Sequence, residues 1–120
     1  MAINIGGNVY NTALTGLNAA QTRLNVSAQN VANSSTEGYK ALSATSRSVD
    51  TGGVIVDVRT STPPSLSAPN PNGEGTVEVP NVSFDQEIVN QIKASNDFKA
   101  NLNVLKVQQR LDQALFDITV

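Results

Sequence analysis

The stretch from Phe84 to Asp117, FDQEIVNQIKASNDFKANLNVLKVQQRLDQALFD, decides how this chain is read. It contains no proline and no glycine. Ser83 and Gln86 have the spacing of a capping box, and Asp85 and Glu87 suit the positive end of a helix. A helix this long reaches roughly 50 Å. Helices of compact domains run to about 8–20 residues, so the spacing predicts an extended subunit. Its apolar residues fall into two stripes. One holds Ile88, Ile92, Phe98, Leu102 and Leu105; the other holds Val104, Val107, Leu111, Leu115 and Ile118. A helix apolar on two faces has more than one neighbour. A single partner helix from the same chain covers one face, and the second calls for another subunit.

Towards the N-terminus a second helix is expected over about Asn8 to Asn33. Tyr10, Leu14, Leu17, Gln21, Leu24, Ala28 and Val31 follow the alternating 4 and 3 spacing of a heptad stripe. Its other faces carry Asn, Ser, Thr and Gln, and Arg23 is the sole charged side chain before Glu37. Solvated helix faces are normally rich in Lys and Glu, and Asn, Ser and Thr are mediocre helix formers. Such a helix depends on packing partners for its order. Asn33-Ser34-Ser35-Thr36-Glu37-Gly38-Tyr39-Lys40 then has turn composition, with Gly38 as the expected positive-φ residue.

Between the helices, all five prolines lie from Pro63 to Pro80. Val54–Val58 and Thr76–Val79 read as strands. With the Ser/Pro/Asn/Gly-rich Ser61–Gly75 between them, they predict one small hairpin with a long loop. Ala41–Thr51 reads as extended or mobile. The expected fold is therefore mainly α, with two long terminal helices packed as an antiparallel coiled coil. Its single extended subunit divides into residues 1–40, a loop and β-hairpin over 41–80, and residues 81–120.

Composition narrows function. The 120 residues carry 8 basic and 10 acidic side chains, 15% charged in all, where soluble domains average roughly 25%. Fourteen Asn, eleven Ser and ten Thr fill the balance, giving a surface that is polar yet easier to dehydrate than an ionic one. The chain has no His and no Cys, which removes the commonest general base, thiol chemistry and zinc or iron–sulfur ligation. The net charge of −2 is not that of a nucleic-acid binder, and no apolar run is long enough to cross a membrane. Lys93 with Ser95, Lys40 with Ser43, Asp112 with Asp117, and Asp85 with Glu87 read as ordinary surface residues rather than catalytic pairs. The glycine pairs lack the Lys-Ser/Thr of a phosphate loop, and Asp50 and Asp57 lack the spacing of a calcium loop. Lys93, Lys99, Lys106 and Arg110 alternate with Asp97 and Asp112 as a solvated stripe. No enzyme, cofactor or metal is expected.

Two segments resemble a known family. Ala13–Asn33, ending Asn30-Val31-Ala32-Asn33 and running into Thr36-Glu37-Gly38-Tyr39-Lys40, is similar to the N-terminal motif of the bacterial flagellar axial proteins of rod and hook. Asn81-Val82, Glu87-Ile88-Val89, Ala94, Phe98, Ala100-Asn101 and Val104-Leu105 resemble that family's C-terminal motif. With a short β insert between the motifs, the layout looks most like the small proximal-rod proteins. The chain departs from the pattern at Glu37, where Pro is usual, at Phe98, where Tyr is usual, and in a short segment between Lys40 and Gly52. The resemblance implies a structural subunit of the periplasmic basal-body rod. It implies export through the flagellar export apparatus without a cleavable signal peptide. It also implies assembly with copies of itself and other axial proteins. The residues it places at assembly interfaces are Leu14, Leu17, Leu24, Asn30, Val31, Asn33, Gly38, Tyr39, Ile88, Ile92, Phe98, Asn101, Leu102, Leu105, Val107, Leu111 and Leu115. The alternative is a divergent rod-protein paralogue serving as a soluble helical adaptor or regulator.

Overall fold

In the computed structural model the described residues are 5–61 and 66–119, with side chains described from residue 7 onward. Two helices dominate: α1, Ile5–Ala32, and α2, Phe84–Thr119. Four short strands lie between them: β1 (Leu42–Ser48), β2 (Val54–Thr60), β3 (Leu66–Pro69) and β4 (Thr76–Val79). The molecule measures 79 × 24 × 16 Å, with a radius of gyration of 20.8 Å. A compact chain of this length would have a radius near 14 Å. The elongation follows from α2, whose 36 residues span roughly 54 Å.

The helices lie side by side and antiparallel, as successive pairings show. Tyr10 meets Asp112, Gly16 meets Asn101, Arg23 meets Asp97 and Asn30 meets Glu87. The single hairpin expected from the sequence is corrected here: β2 and β4 do not pair. β1 and β2 form one antiparallel ribbon, from Leu42↔Thr60 to Ser48↔Val54, and β3 and β4 form another, from Leu66↔Val79 to Pro69↔Thr76. The apolar Val54–Val58 took as its partner the adjacent polar run LSATSRS, which carries no apolar alternation to betray it. Its proximity decides the pairing, because a short loop closes at lower entropic cost than a long one. Gly52 and Gly53, both at φ 95°, supply the tight turn, with Gly52 N–H donating to Val49 O at 2.9 Å. β3 arose inside the Pro-rich segment, and its one proline closes the strand at an edge, where a missing N–H is tolerated. Residues 62–65 of that segment lie outside the described residues.

The β1–β2 ribbon lies on α1. Thr15 Oγ1 accepts from Val54 N–H at 3.1 Å and itself donates to Thr12 O at 2.7 Å. Gly53 approaches so closely that any Cβ there would strike the Thr15 side chain. The β3–β4 ribbon touches no other element among the described residues, and is tied in by Gly38 N–H donating to Glu78 O at 3.0 Å. At the start of α2 the expected capping box does not close: Gln86 Nε2 reaches forward to Asn90 Oδ1 at 3.1 Å instead of back to Ser83.

Candidate assembly interface

The helix stripes expected from the sequence require a second correction. On α1 the face turned to α2 consists of Ala13, Gly16, Ala20, Arg23, Ser27 and Asn30, at spacings of 3, 4, 3, 4 and 3. These are small or polar residues, one position removed from the leucine stripe. On α2 the matching face is Glu87, Gln91, Ala94, Asn101, Leu105, Gln108 and Asp112, all buried or half-buried. Of the first apolar stripe, Leu105 alone is half-buried; Ile88, Ile92, Phe98 and Leu102 are exposed. So α1 buries neither apolar stripe of α2, although Phe98 and Leu102, each 37% exposed, and the half-buried Leu105 are partly covered. The physical reason is fit. Alanine and glycine let two backbones approach closely, and the Asn101 side chain fills the space over Gly16, where any Cβ would collide with it.

At one end of this seam lies a polar lock centred on Asn30, whose side-chain amide is fully satisfied. Asn30 is 1% exposed. Its Nδ2 donates to Leu42 O at 2.8 Å and to Glu87 Oε1 at 2.9 Å. Its Oδ1 accepts from Leu42 N–H at 2.8 Å and from the Tyr39 hydroxyl at 2.9 Å. Two donors and two acceptors exhaust what an amide side chain offers. One residue thereby joins α1, the turn, β1 and α2. Ser27 Oγ adds a bond to Glu87 O at 3.1 Å, and Asn81 Oδ1 holds Ala41 N–H at 3.0 Å. The turn is held open by Gly38 at φ 72°, as its sequence anticipated, and Tyr39 N–H closes it onto Thr36 O. Burial raises the Tyr39 phenol pKa above its usual value, and the nearby Glu87 carboxylate pushes the same way. At the far end of the seam Tyr10 donates to Asp112 at 2.9 Å, and this bond raises the Tyr10 pKa.

The anticipated interface residues therefore divide into two sets. Asn30, Tyr39 and Asn101 spend their polar groups inside the chain, and Asn33 bridges the turn through Gln29 O and Thr36 Oγ1. Gly38 contributes backbone geometry. Leu17, Leu24, Val31 and Leu105 are half-buried, while Leu14, Ile88, Ile92, Phe98, Leu102, Val107, Leu111 and Leu115 are exposed. The buried apolar residues among those described are Ala13, Ala19, Ala20, Val26, Ala41 and Ala94; none is a Leu, Ile or Phe. Sequence reasoning missed Gly16 as a contact point, although a lone glycine in mid-helix was a signal of close approach.

Comparison with known proteins fits this layout. Residues 11–40 match the family described as flagella basal body rod protein, and residues 74–118 match the C-terminal family of flagellar basal body rod FlgEFG proteins. The flagellar basal-body rod protein FlgC of Yersinia enterocolitica is 33% identical over an alignment of 121 positions, covering 87% of this chain and 90% of that protein. This chain belongs to the FlgC family of flagellar basal-body rod proteins. FlgC of Escherichia coli O157:H7 is 32% identical, with 82% of this chain and 86% of that protein covered. The two matched segments take in most of α1 and nearly all of α2, the second including β4 as well. Among the described residues no helix is long and apolar enough to cross a membrane.

Proposed function

We propose that this chain, a structural subunit of the flagellar basal-body rod, assembles with copies of itself and with other axial proteins through the exposed apolar faces of its terminal helices. The observation that carries this reading is the inversion of the helix pair. Alanine and amides fill the inner seam, and Leu14, Ile88, Ile92, Val107, Leu111 and Leu115 point outward, each more than half exposed. An exposed apolar patch larger than a few hundred Å² marks an interaction surface. Neighbouring subunits cover these side chains at roughly 25 cal/mol per Å² of apolar area buried. The 3 and 4 spacing of the inner seam supports packing of the pair as an antiparallel coiled coil. Residues 1–40 and 81–120 form the assembling part, and residues 41–80 form a β arm between them. The polymer is the periplasmic shaft of the rod, reached through the flagellar export apparatus. Asn30, Asn33, Gly38, Tyr39 and Asn101 contribute by fixing the shape of the unit, and the leucines, isoleucines and valines contribute the contacts.

Leu111→Asp tests this. The substituted chain stays folded and soluble because Leu111 is exposed in the single chain, and it fails to polymerise because a buried unpaired charge costs several kcal/mol. Sedimentation of purified chain and motility of a complemented strain read the two outcomes. Normal polymer and normal motility with Leu111→Asp and with Val107→Asp would remove this face from the interface.

A further inference from the structure

Of the fourteen asparagines, Asn72 is the one followed by a glycine. It lies in the turn between β3 and β4, where Asn72, Gly73, Glu74 and Gly75 are all exposed. Asn70 N–H donates across this turn to Gly75 O at 3.0 Å, and Asn72 N–H donates to Asn70 Oδ1 at 2.9 Å. These bonds fix the main chain and leave the Asn72 carboxamide without a partner among the described residues. The next nitrogen along the chain is loosely held as well. Gly73 N–H points at Asn70 O across 3.5 Å, beyond the usual range of a hydrogen bond. Apart from its chain neighbours, nothing lies within 4 Å of where a Cβ of Gly73 would stand. The other asparagines with small or special followers are placed differently. Asn33, before Ser34, donates to Gln29 O at 2.9 Å and accepts from the Thr36 hydroxyl at 3.3 Å, while Ser34 N–H donates to Val31 O at 3.3 Å. Asn18, before Ala19, lies within α1, where the following N–H belongs to the helix ladder. Asn70 precedes Pro71, which has no N–H.

We propose that Asn72 is a self-modification site, at which the chain converts its own carboxamide through a cyclic imide into aspartate or isoaspartate. Solvent base takes the proton from Gly73 N. That nitrogen attacks Asn72 Cγ, the N–Cγ bond forms and the Cγ–Nδ2 bond breaks. A proton returned through water lets the side-chain nitrogen leave as ammonia. Water then opens the ring. Breaking the new N–Cγ bond gives aspartate in the ordinary main chain. Breaking the original peptide bond at the Asn72 carbonyl gives isoaspartate, whose main chain runs through the former side chain. The sum is one water consumed and one ammonia released, with no enzyme or cofactor required. Either product puts a negative charge at position 72. Residues 66–80 carry Glu74 and Glu78 and no basic side chain, so the ribbon becomes more acidic. Isoaspartate also lengthens the turn by one main-chain carbon. The β3–β4 ribbon packs on no other element among the described residues, so the change stays out of the helix seam. None of this depends on the assembly reading.

Full-length protein is held in mildly alkaline buffer, sampled over time, cut with trypsin and read by tandem mass spectrometry. Cleavage after Arg23, Lys40, Arg59 and Lys93 puts Asn33 and Asn72 on different peptides. Asn72 should exchange NH₂ for OH at least about tenfold faster than Asn33. Methylation of the product by an isoaspartyl methyltransferase with S-adenosylmethionine reads the isoaspartate. Gly73→Val tests the attacking nitrogen. Gly73 has no positive φ and open space around it, so the turn accepts valine, whose branched side chain shields the nitrogen. Conversion should slow about tenfold or more. Equal rates in the two proteins would overturn the proposal, and so would aspartate formed without isoaspartate, which would mean direct hydrolysis of the side chain. In urea, which frees Asn33 from its bonds, conversion at Asn33 should rise about tenfold while Asn72 stays within about twofold. Asn33 converting first in the folded chain would overturn the part assigned to the turn. Far-UV circular dichroism of the converted protein should match that of fresh protein, and a loss of helix would overturn the confinement of the change to the ribbon.

Discussion

α1 has two sides of opposite character. The side facing α2 is closed: Ala13, Gly16, Ala20, Ser27 and Asn30 meet a matching row on α2, and Asn30 has every hydrogen-bonding position filled. The side carrying Leu14 is open, as are the leucines and valines of α2 other than Leu105. Globular domains do the reverse, with apolar residues inside and amides outside. The contrast separates two tasks. Small residues and hydrogen bonds give the single chain a defined shape with little apolar burial, and in the proposed assembly the apolar burial is reserved for contact between subunits. A chain that buried its leucines internally would be more stable alone and would have little left with which to polymerise.

The sharpest way to break this contrast is to attack the lock. Asn30→Leu removes four hydrogen bonds and strands the Tyr39 hydroxyl, the Leu42 amide and one oxygen of Glu87. It is expected to cost at least about 3 kcal/mol. Urea denaturation of the monomer measures this, with Leu14→Ala as the control on the open side at about 0.5 kcal/mol or less. Equal losses from the two would show that the open side already supports the single chain.

Gly16→Leu comes next. Its side chain must displace Asn101 and push the helices apart, at about 1–3 kcal/mol. A distance measured between spin labels on the exposed faces of α1 and α2 should lengthen. An unchanged distance and midpoint would mean that the seam is looser than its residues indicate.

Gly38→Val is smaller and of a different kind. Nothing lies within 4 Å of a Cβ at Gly38, so the substitution acts through the positive φ alone, at roughly 1–2 kcal/mol. Ser35→Val, in the same turn, should be near neutral by thermal melting. Matching melting temperatures would mean that the turn relaxes to another conformation.

The smallest effect is on pH. Tyr39 and Tyr10 both have pKa values raised in the folded chain, so the folded state holds those protons more tightly than the unfolded state. Their contribution is present in full below the unfolded value of about 10 and is lost as pH rises through the folded values. Melting temperature should fall more steeply above about pH 10 in the unsubstituted chain than in Tyr39→Phe. Parallel curves would remove the Tyr39–Asn30 bond as a pH-sensitive element.

Much of this was legible from residue order. The breaker-free run from Phe84 onward fixes a long helix whatever surrounds it, because length and propensity are local properties. Gly38 announces its turn for the same reason: the positive φ belongs to one residue. The two apolar stripes of α2 also declare that one partner helix is insufficient. That neither stripe is buried against α1 was not legible. Periodicity marks the apolar face of a helix, and the convention that apolar faces point inward fails in this chain, whose seam is lined by alanine and amides. The lock around Asn30 likewise joins positions 30, 39, 42 and 87, whose relation no local pattern records. Strand pairing was decided by loop length against a polar partner strand that carries no signal of its own. The sequence by itself determined the elements, their lengths and an excess of apolar surface over what one chain can cover. The tertiary structure alone decided which faces meet, because close backbone approach at Gly16 and the simultaneous satisfaction of Asn30 are properties of several segments at once.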